Sequence, residues 1–254
     1  MNPINLDIFA VAPVKCFRGS EEIDQATGFF YRFNGLYFIT NRHVIIDEQD
    51  EFYPDEIRLS LHKKDNMRRN GTVTLPLYDI NRERLWLEHP TYGSEVDVVA
   101  LPIDPNILDQ YAVRYFCNGD FASDSIDLSI GDDVLVIGYP LGFRDSINNF
   151  PIVRNATIAS VYTVPFEGKP RFLIDSRLHR GTSGSPVLTK PTDTIRTTDG
   201  SVMQQPGSLR RFFLGIHSET FDVPDRDPAL DEPIGLNYVW YAGLIFEIVR
   251  PRSI

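Results

Sequence analysis

The chain has 254 residues and a formal net charge of −10 from 25 basic and 35 acidic side chains; 42% hydrophobic and 24% charged residues is the balance of an ordinary globular protein. This excludes a disordered or collagen-like chain, and the acidic balance argues against nucleic acid as a partner, since such binders carry a basic stripe. No apolar run approaches the length of a membrane helix, so no membrane partner is expected either.

The N-terminus, Met1–Asp7, has no positive region and the apolar stretch Ile8–Val14 is broken by Pro13, so no signal peptide is expected. Thr27–Phe33 and Leu36–Thr40 read as two strands joined through Asn34-Gly35, a strong hairpin signal. Ile57–His62 and Thr72–Leu77 follow as strands. Between them Lys63, Lys64, Arg68 and Arg69 sit beside Asp65 and read as a solvated loop. Val96–Leu101 is the next strand, and Asn106–Val113 a short helix within a linker region, Pro105–Ile130. Val134–Ile137, Ile152–Tyr162, Phe172–Asp175, Phe212–Ile216 and Asn237–Tyr241 complete the strands; Gly243–Val249 reads as a closing helix. Thr189–Ser208 and the acidic segment Glu219–Gly235 read as long surface loops. The 17 Gly and 18 Pro are spread along the chain as punctuation between many short strands, which predicts an all-β sandwich or barrel pair. Cys16 and Cys117 lack the spacing of a disulfide framework or a metal site; a reducing, cytoplasmic compartment is the expectation.

Three segments carry chemistry. Gly181-Thr182-Ser183-Gly184-Ser185-Pro186 fits G-x-S-G-x-P, in which flanking glycines allow a tight turn that exposes a serine hydroxyl beside backbone N–H groups. An ordinary Gly/Ser/Pro turn fits the same letters. His43 follows a strand end by three residues, and a lone histidine is more often structural than catalytic. Asp97 interrupts the apolar run Val96–Leu101; it needs exposure or a partner there. Each is weak alone. Together their chain order, His then Asp then Ser, is that of the chymotrypsin-type triad.

On these residues the chain resembles the trypsin-like serine peptidases of the chymotrypsin fold, in particular bacterial HtrA-like and glutamyl-endopeptidase-like members. Thr27-Gly28-Phe29-Phe30 resembles the family's entry strand, Thr40–Val44 its histidine segment, Asp97–Leu101 its aspartate strand, Gly131–Gly142 the opening of its second barrel and Leu214–His217 the strand beside the substrate. The resemblance implies an all-β fold of two antiparallel six-stranded β-barrels with a short C-terminal helix. One peptidase unit, 1–254, would divide into sub-barrels 1–115 and 125–242 and a helix at 243–250. It leaves no stretch long enough for a PDZ domain and gives no cleavage site before Thr27 for activation by cutting.

The resemblance further implies a serine endopeptidase working through an acyl-enzyme. His43, Asp97 and Ser183 would be catalytic, the N–H groups of Gly181 and Ser183 would form the oxyanion hole, and no metal or organic cofactor would be required. Arg177, Leu178, His217 and Ser218 would line the pocket for P1, the residue on the acyl side of the scissile bond. A cationic Arg177 and His217 would favour an acidic P1. The acidic segment Glu219–Gly235 would rim that pocket, and Arg180 before Gly181 departs from the common pattern. The expected partners are a protein or peptide substrate and a regulatory protein that restrains the activity. A pseudoprotease serving as binding or sensor module, and a small-ester hydrolase, are the rival readings; the strand-rich pattern and the order His, Asp, Ser speak against the α/β-hydrolase route to ester chemistry.

Overall fold

The computed structural model describes residues 6–221 and 234–250. After a 3₁₀ turn at Leu6–Ala10, the chain forms β1 (Val11–Arg18), β2 (Glu21–Arg32), β3 (Leu36–Thr40), β4 (Glu56–His62), β5 (Asn70–Pro76) and β6 (Val99–Ile103). These make one antiparallel six-stranded sheet in the order β5-β4-β1-β2-β3-β6. A short helix, α1 (Ile107–Gln110), and a 3₁₀ turn lead to β7 (Asp133–Gly138), β8 (Ile152–Ile158), β9 (Arg171–Asp175), β10 (Pro186–Thr189), β11 (Thr194–Arg196), β12 (Val202–Gln204), β13 (Phe213–Thr220), β14 (Leu236–Tyr241) and α2 (Gly243–Val249). Six of these close into a barrel, β10-β13-β14-β9-β8-β7, while β11 and β12 form a separate hairpin. The fold is thus the all-β, chymotrypsin-like double barrel with a short C-terminal helix. The first half is a sheet whose end strands β5 and β6 do not pair; the second half is closed.

The strands read as nearly continuous apolar runs because many are covered on both faces. Alternate residues divide between cores. Phe30, Phe38, Val99 and Leu101 fill the inside of the first sheet; Val134, Val136, Val187, Leu214 and Val239 fill the barrel. Their neighbours Phe29, Ile39, Ala100, Ile137, Leu188, Phe213 and Trp240 point the other way, into a third core that joins sheet, barrel and α2. Phe213 stacks on Phe116 at 4.9 Å and meets Phe29 edge-on at 5.2 Å, tying the two halves together. The catalytic candidates lie along this junction.

Several sequence expectations need revision. The hairpin loop is three residues, Phe33–Gly35, with Asn34 at φ 50°, because Arg32 still pairs with Leu36. Ile8–Val14 is not merely a broken apolar stretch: β1 runs through Pro13, which pairs with Thr27 in register. The segment Thr189–Ser208 is not a plain loop, since the polar strands β11 and β12 form a hairpin there. Asp97 stands two residues before β6, not within it. The acidic segment Glu219–Gly235 lies largely outside the described residues, which include only 219–221 and 234–235 of it. Among the described residues no helix is long and apolar enough to cross a membrane.

Candidate active site

His43 is placed by the turn that follows β3. The Arg42 carbonyl accepts the N–H groups of Ile45 and Ile46 at 2.9 Å each, closing one turn over the buried Ile45 and Ile46. The Arg42 guanidinium pins that turn from outside, with Nη2 to Glu48 at 2.5 Å and Nε to Glu88 at 3.0 Å. Asp97 meets His43 twice: the backbone N–H of His43 donates to Oδ1 at 2.9 Å, and ring Nδ1 lies 2.8 Å from Oδ2. Ser218 donates its hydroxyl to the same Oδ2 at 2.6 Å, and Asn41 Nδ2 donates to the Asp97 carbonyl at 2.7 Å. Burial alone would raise the Asp97 carboxyl, but the His43 charge and these hydrogen bonds hold it below the usual carboxylate range. Burial likewise disfavours the His43 imidazolium, yet the charge and hydrogen bond of Asp97, with smaller help from Glu219 and Asp47, lift it above an ordinary histidine. The carboxylate fixes Nδ1–H, which leaves Nε2 as the proton-accepting nitrogen of the neutral ring.

The Gly181–Pro186 turn is pinned across the junction by one residue of β2. Thr27 Oγ1 donates to the Gly181 carbonyl at 2.7 Å and accepts the Tyr139 N–H at 3.0 Å. The Thr27 N–H donates to the Ser183 carbonyl at 2.9 Å, while its own carbonyl accepts Thr40 Oγ1 at 2.8 Å. Gly184 has φ +83°, and a Cβ there would stand 2.1 Å from the Thr27 carbonyl oxygen, so only glycine fits. Gly181 has φ +88° and presses on the Tyr139 carbonyl in the same way, at 2.7 Å from an added Cβ. The Arg180 carbonyl accepts the Leu141 N–H at 2.6 Å. In a trans peptide, N–H and C=O point in opposite directions, so the Gly181 N–H faces away from Leu141. Among the described residues, neither the Gly181 nor the Ser183 N–H donates a backbone hydrogen bond, so both are available to an oxyanion. The half-exposed Ser183 hydroxyl is the one member with no side-chain hydrogen bond to His43 among the described contacts.

The four expected pocket residues stand as follows. Arg177 is exposed, and its carbonyl accepts Arg154 Nη2 at 2.6 Å. Leu178 is half-buried against the barrel core. Ser218 spends its hydroxyl on Asp97. His217 is buried beneath the nucleophile turn, with Nδ1–H donating to the Thr182 carbonyl at 2.9 Å and Nε2 left without a partner. Burial pushes its pKa down to about 4, so the ring is neutral at pH 7. Neighbouring Asn237 is fully buried and donates to the carbonyls of Ser176 at 2.7 Å and Gly235 at 2.9 Å. Thr27, Asn41, Tyr139 and Asn237 were not among the candidates from sequence. The available signal for Thr27 was a hydroxyl inside the apolar run Ala26–Phe30. Among the described residues no three His, Cys, Asp or Glu side chains gather as a metal site.

No curated protein sequence matches the chain significantly. Among solved structures it is similar to the serine endoprotease from Yersinia pestis, with 18% identity and TM-score 0.50 over 97% of this chain and 66% of that one. It therefore spans just under two thirds of that protein. It is also similar to Deg5, with 14% identity and TM-score 0.55 over 98% and 95% of the two chains. The MamO protease domain from Magnetospirillum magneticum, in its apo form, gives 15% identity and TM-score 0.53 over 98% and 100%. These likenesses establish the shared fold. The family model for the trypsin-like peptidase domain matches residues 26–193, from Ala26 beside the Thr27 clamp through the nucleophile turn to Asp193. By that match the chain belongs to the trypsin-like peptidase domain family.

Proposed function

We propose that the chain hydrolyses peptide bonds as a serine endopeptidase, with His43, Asp97 and Ser183 as its triad. The observation that carries this reading is the 2.8 Å contact from His43 Nδ1 to Asp97 Oδ2, in the turn after Thr40, which bonds to Thr27 as Thr27 bonds to the Ser183 carbonyl. His43 Nε2 takes the Ser183 proton as the hydroxyl attacks the scissile carbonyl. Asp97 holds the tautomer and stabilises the imidazolium. The N–H groups of Gly181 and Ser183 receive the oxyanion. The imidazolium then protonates the leaving amine, and water repeats the sequence on the acyl-enzyme. Ser183 and His43 close to hydrogen-bond distance when substrate arrives, a tightening common in this chemistry.

For P1, His217 supports an acidic residue. Its partnerless Nε2 lies beside Asn237, and a Glu or Asp carboxyl group reaching it would supply the missing partner and hold the ring protonated. Arg177, exposed at the rim, is not required for this. Narrow specificity, or restraint by a regulatory protein, accompanies the reading, as does a reducing compartment in which Cys16 and Cys117 stay free.

The test is labelling by a fluorophosphonate probe. Labelling that vanishes in Ser183→Ala supports the working nucleophile; no labelling under any condition favours the pseudoprotease, the reading suggested by the unmade Ser183–His43 hydrogen bond. Labelling with turnover of small esters but not of peptides points to the ester hydrolase. Cleavage-site profiling then tests P1: a flat or hydrophobic profile removes the acidic preference, and rapid unaided digestion of casein removes the restraint.

A further inference from the structure

β13 changes character at its outgoing end. Its register with β14 runs Gly215↔Tyr241, Ile216↔Trp240 and His217↔Val239, then resumes at Thr220↔Asn237. Ser218 and Glu219 therefore stand opposite Tyr238 alone, the two-against-one arrangement of a β-bulge, which re-aims side chains beside active sites. The bulge sends the two side chains to different tasks. Ser218 turns in to Asp97 at 2.6 Å, whereas Glu219 is exposed.

The Glu219 carboxylate has no hydrogen bond or ion pair among the described residues. The neighbouring Ser218 touches Asp97, and Ser218 and Glu219 both stand opposite Tyr238, so the carboxylate lies on the strand beside His43 and Asp97, and its charge acts on His43 and Tyr238. Two residues further on, half-buried Phe221 meets Phe166 edge-on at 6.3 Å and Tyr238 at 5.6 Å, forming an apolar shelf. Arg171, the cation on the Tyr238 ring, is engaged elsewhere: its guanidinium lies over that ring at 3.5 Å and pairs with Glu167 at 2.7 Å. An unpaired carboxylate next to an aromatic shelf suits a long cationic side chain, whose methylene stem covers the rings while its head reaches the charge. The registered pairing of β13 with β10 ends at Pro186↔Ile216, so an extended substrate can add along the following edge by backbone hydrogen bonds, which brings its side chains within reach of Glu219.

We propose that Glu219 is a specificity-determining residue that selects Lys or Arg in the substrate, within four residues of the scissile bond, on the flank lying along β13. This rests on the peptidase reading above and adds to it the chemistry of the substrate beyond P1. Attraction of Lys and repulsion of Glu at one partly screened carboxylate together give about five- to tenfold discrimination.

The experiment digests one proteome-derived peptide library with the wild-type chain, Glu219→Gln, Glu219→Lys and Ser183→Ala, and reads the cleavage sites by mass spectrometry. Wild type should enrich Lys and Arg over Asp and Glu about five- to tenfold at a position on one flank. Glu219→Gln should bring that ratio near one, and Glu219→Lys should invert it. Because the readout is a ratio within each profile, differences in yield or total rate do not enter. An absent enrichment in wild type, or one that survives Glu219→Lys, overturns the proposal while leaving the peptidase reading intact. No cleavage beyond that of Ser183→Ala overturns both together.

Discussion

The valine replacement of Thr27 tests whether one hydroxyl of the first sheet holds the oxyanion turn of the barrel. Thr27 is fully buried and its Oγ1 has two partners, the Gly181 carbonyl at 2.7 Å and the Tyr139 N–H at 3.0 Å. Valine keeps the β-branched shape and removes both bonds, leaving a carbonyl and an N–H that have no other backbone partner among the described residues. Each orphaned buried group costs about 1–2 kcal/mol, and the new methyl returns about 1 kcal/mol. The net expected loss is about 1–3 kcal/mol, measured by urea denaturation with linear extrapolation. Freed from Thr27, the 180–181 peptide no longer holds its N–H toward the oxyanion, and kcat should fall about 10–100-fold, within the range seen when oxyanion donors are lost. Thr27→Ser retains the hydroxyl and should recover most of both losses. A Thr27→Val chain within about 0.5 kcal/mol of wild type and with unchanged kcat would refute the clamp.

Three further outcomes follow from the same geometry. The acid limb of kcat/KM should lie above the ordinary histidine value of 6.5, because Asp97 outweighs burial at His43; Asp97→Asn should move that limb downward and lower kcat by about 10⁴-fold, read from pH–rate profiles. His217 titrates near 4 when folded against 6.5 when unfolded, so the unfolded chain binds the extra proton between those values. Stability should therefore drop as pH falls through 6.5 and level off below 4, by about 3 kcal/mol from this residue, and His217→Gln should flatten that part of the curve. Gly184→Ala, with its Cβ 2.1 Å from the Thr27 oxygen and 2.6 Å from Thr40 Oγ1, should lose about 4 kcal/mol or more and melt at a markedly lower temperature, if it yields folded protein at all.

What was readable in the sequence follows from how local each signal is. Leu36–Thr40 and Gly243–Val249 match their elements to the residue because composition and turn signals bound them on both sides. β1 was missed because Pro13 argues against a strand, and β11 and β12 because half-polar, exposed strands look like loop. The three triad candidates were legible through chain order. The roles around them were not. His217 was readable as a residue for P1, but its complete burial, which keeps the ring neutral in the absence of a partner carboxylate, was not, because burial is a property of the packed barrel. Ser218 gave no sign in the sequence of its second contact, a hydroxyl 2.6 Å from a carboxylate 121 residues away.

The deeper limit concerns which half of the molecule does the chemistry. Chain order assigns His43 and Asp97 to the first half and Ser183 to the second, which suggests that each half brings its own residues to the cleft. The hydrogen bonds point to a closer dependence. The first sheet positions the nucleophile turn directly, through Thr27 N–H to the Ser183 carbonyl and Thr27 Oγ1 to the Gly181 carbonyl, across 154 residues of chain in the second case. The barrel positions the base in return, through Ser218 of β13 to Asp97. Each half thus bonds to residues that the peptidase reading assigns to the other half's share of the triad. Shifting the sheet against the barrel would break the Thr27 clamp and the Ser218–Asp97 bond together. The apolar junction of Phe29, Phe116 and Phe213 resists that shift, so on the peptidase reading its packing holds the triad together although none of its atoms can take part in the chemistry.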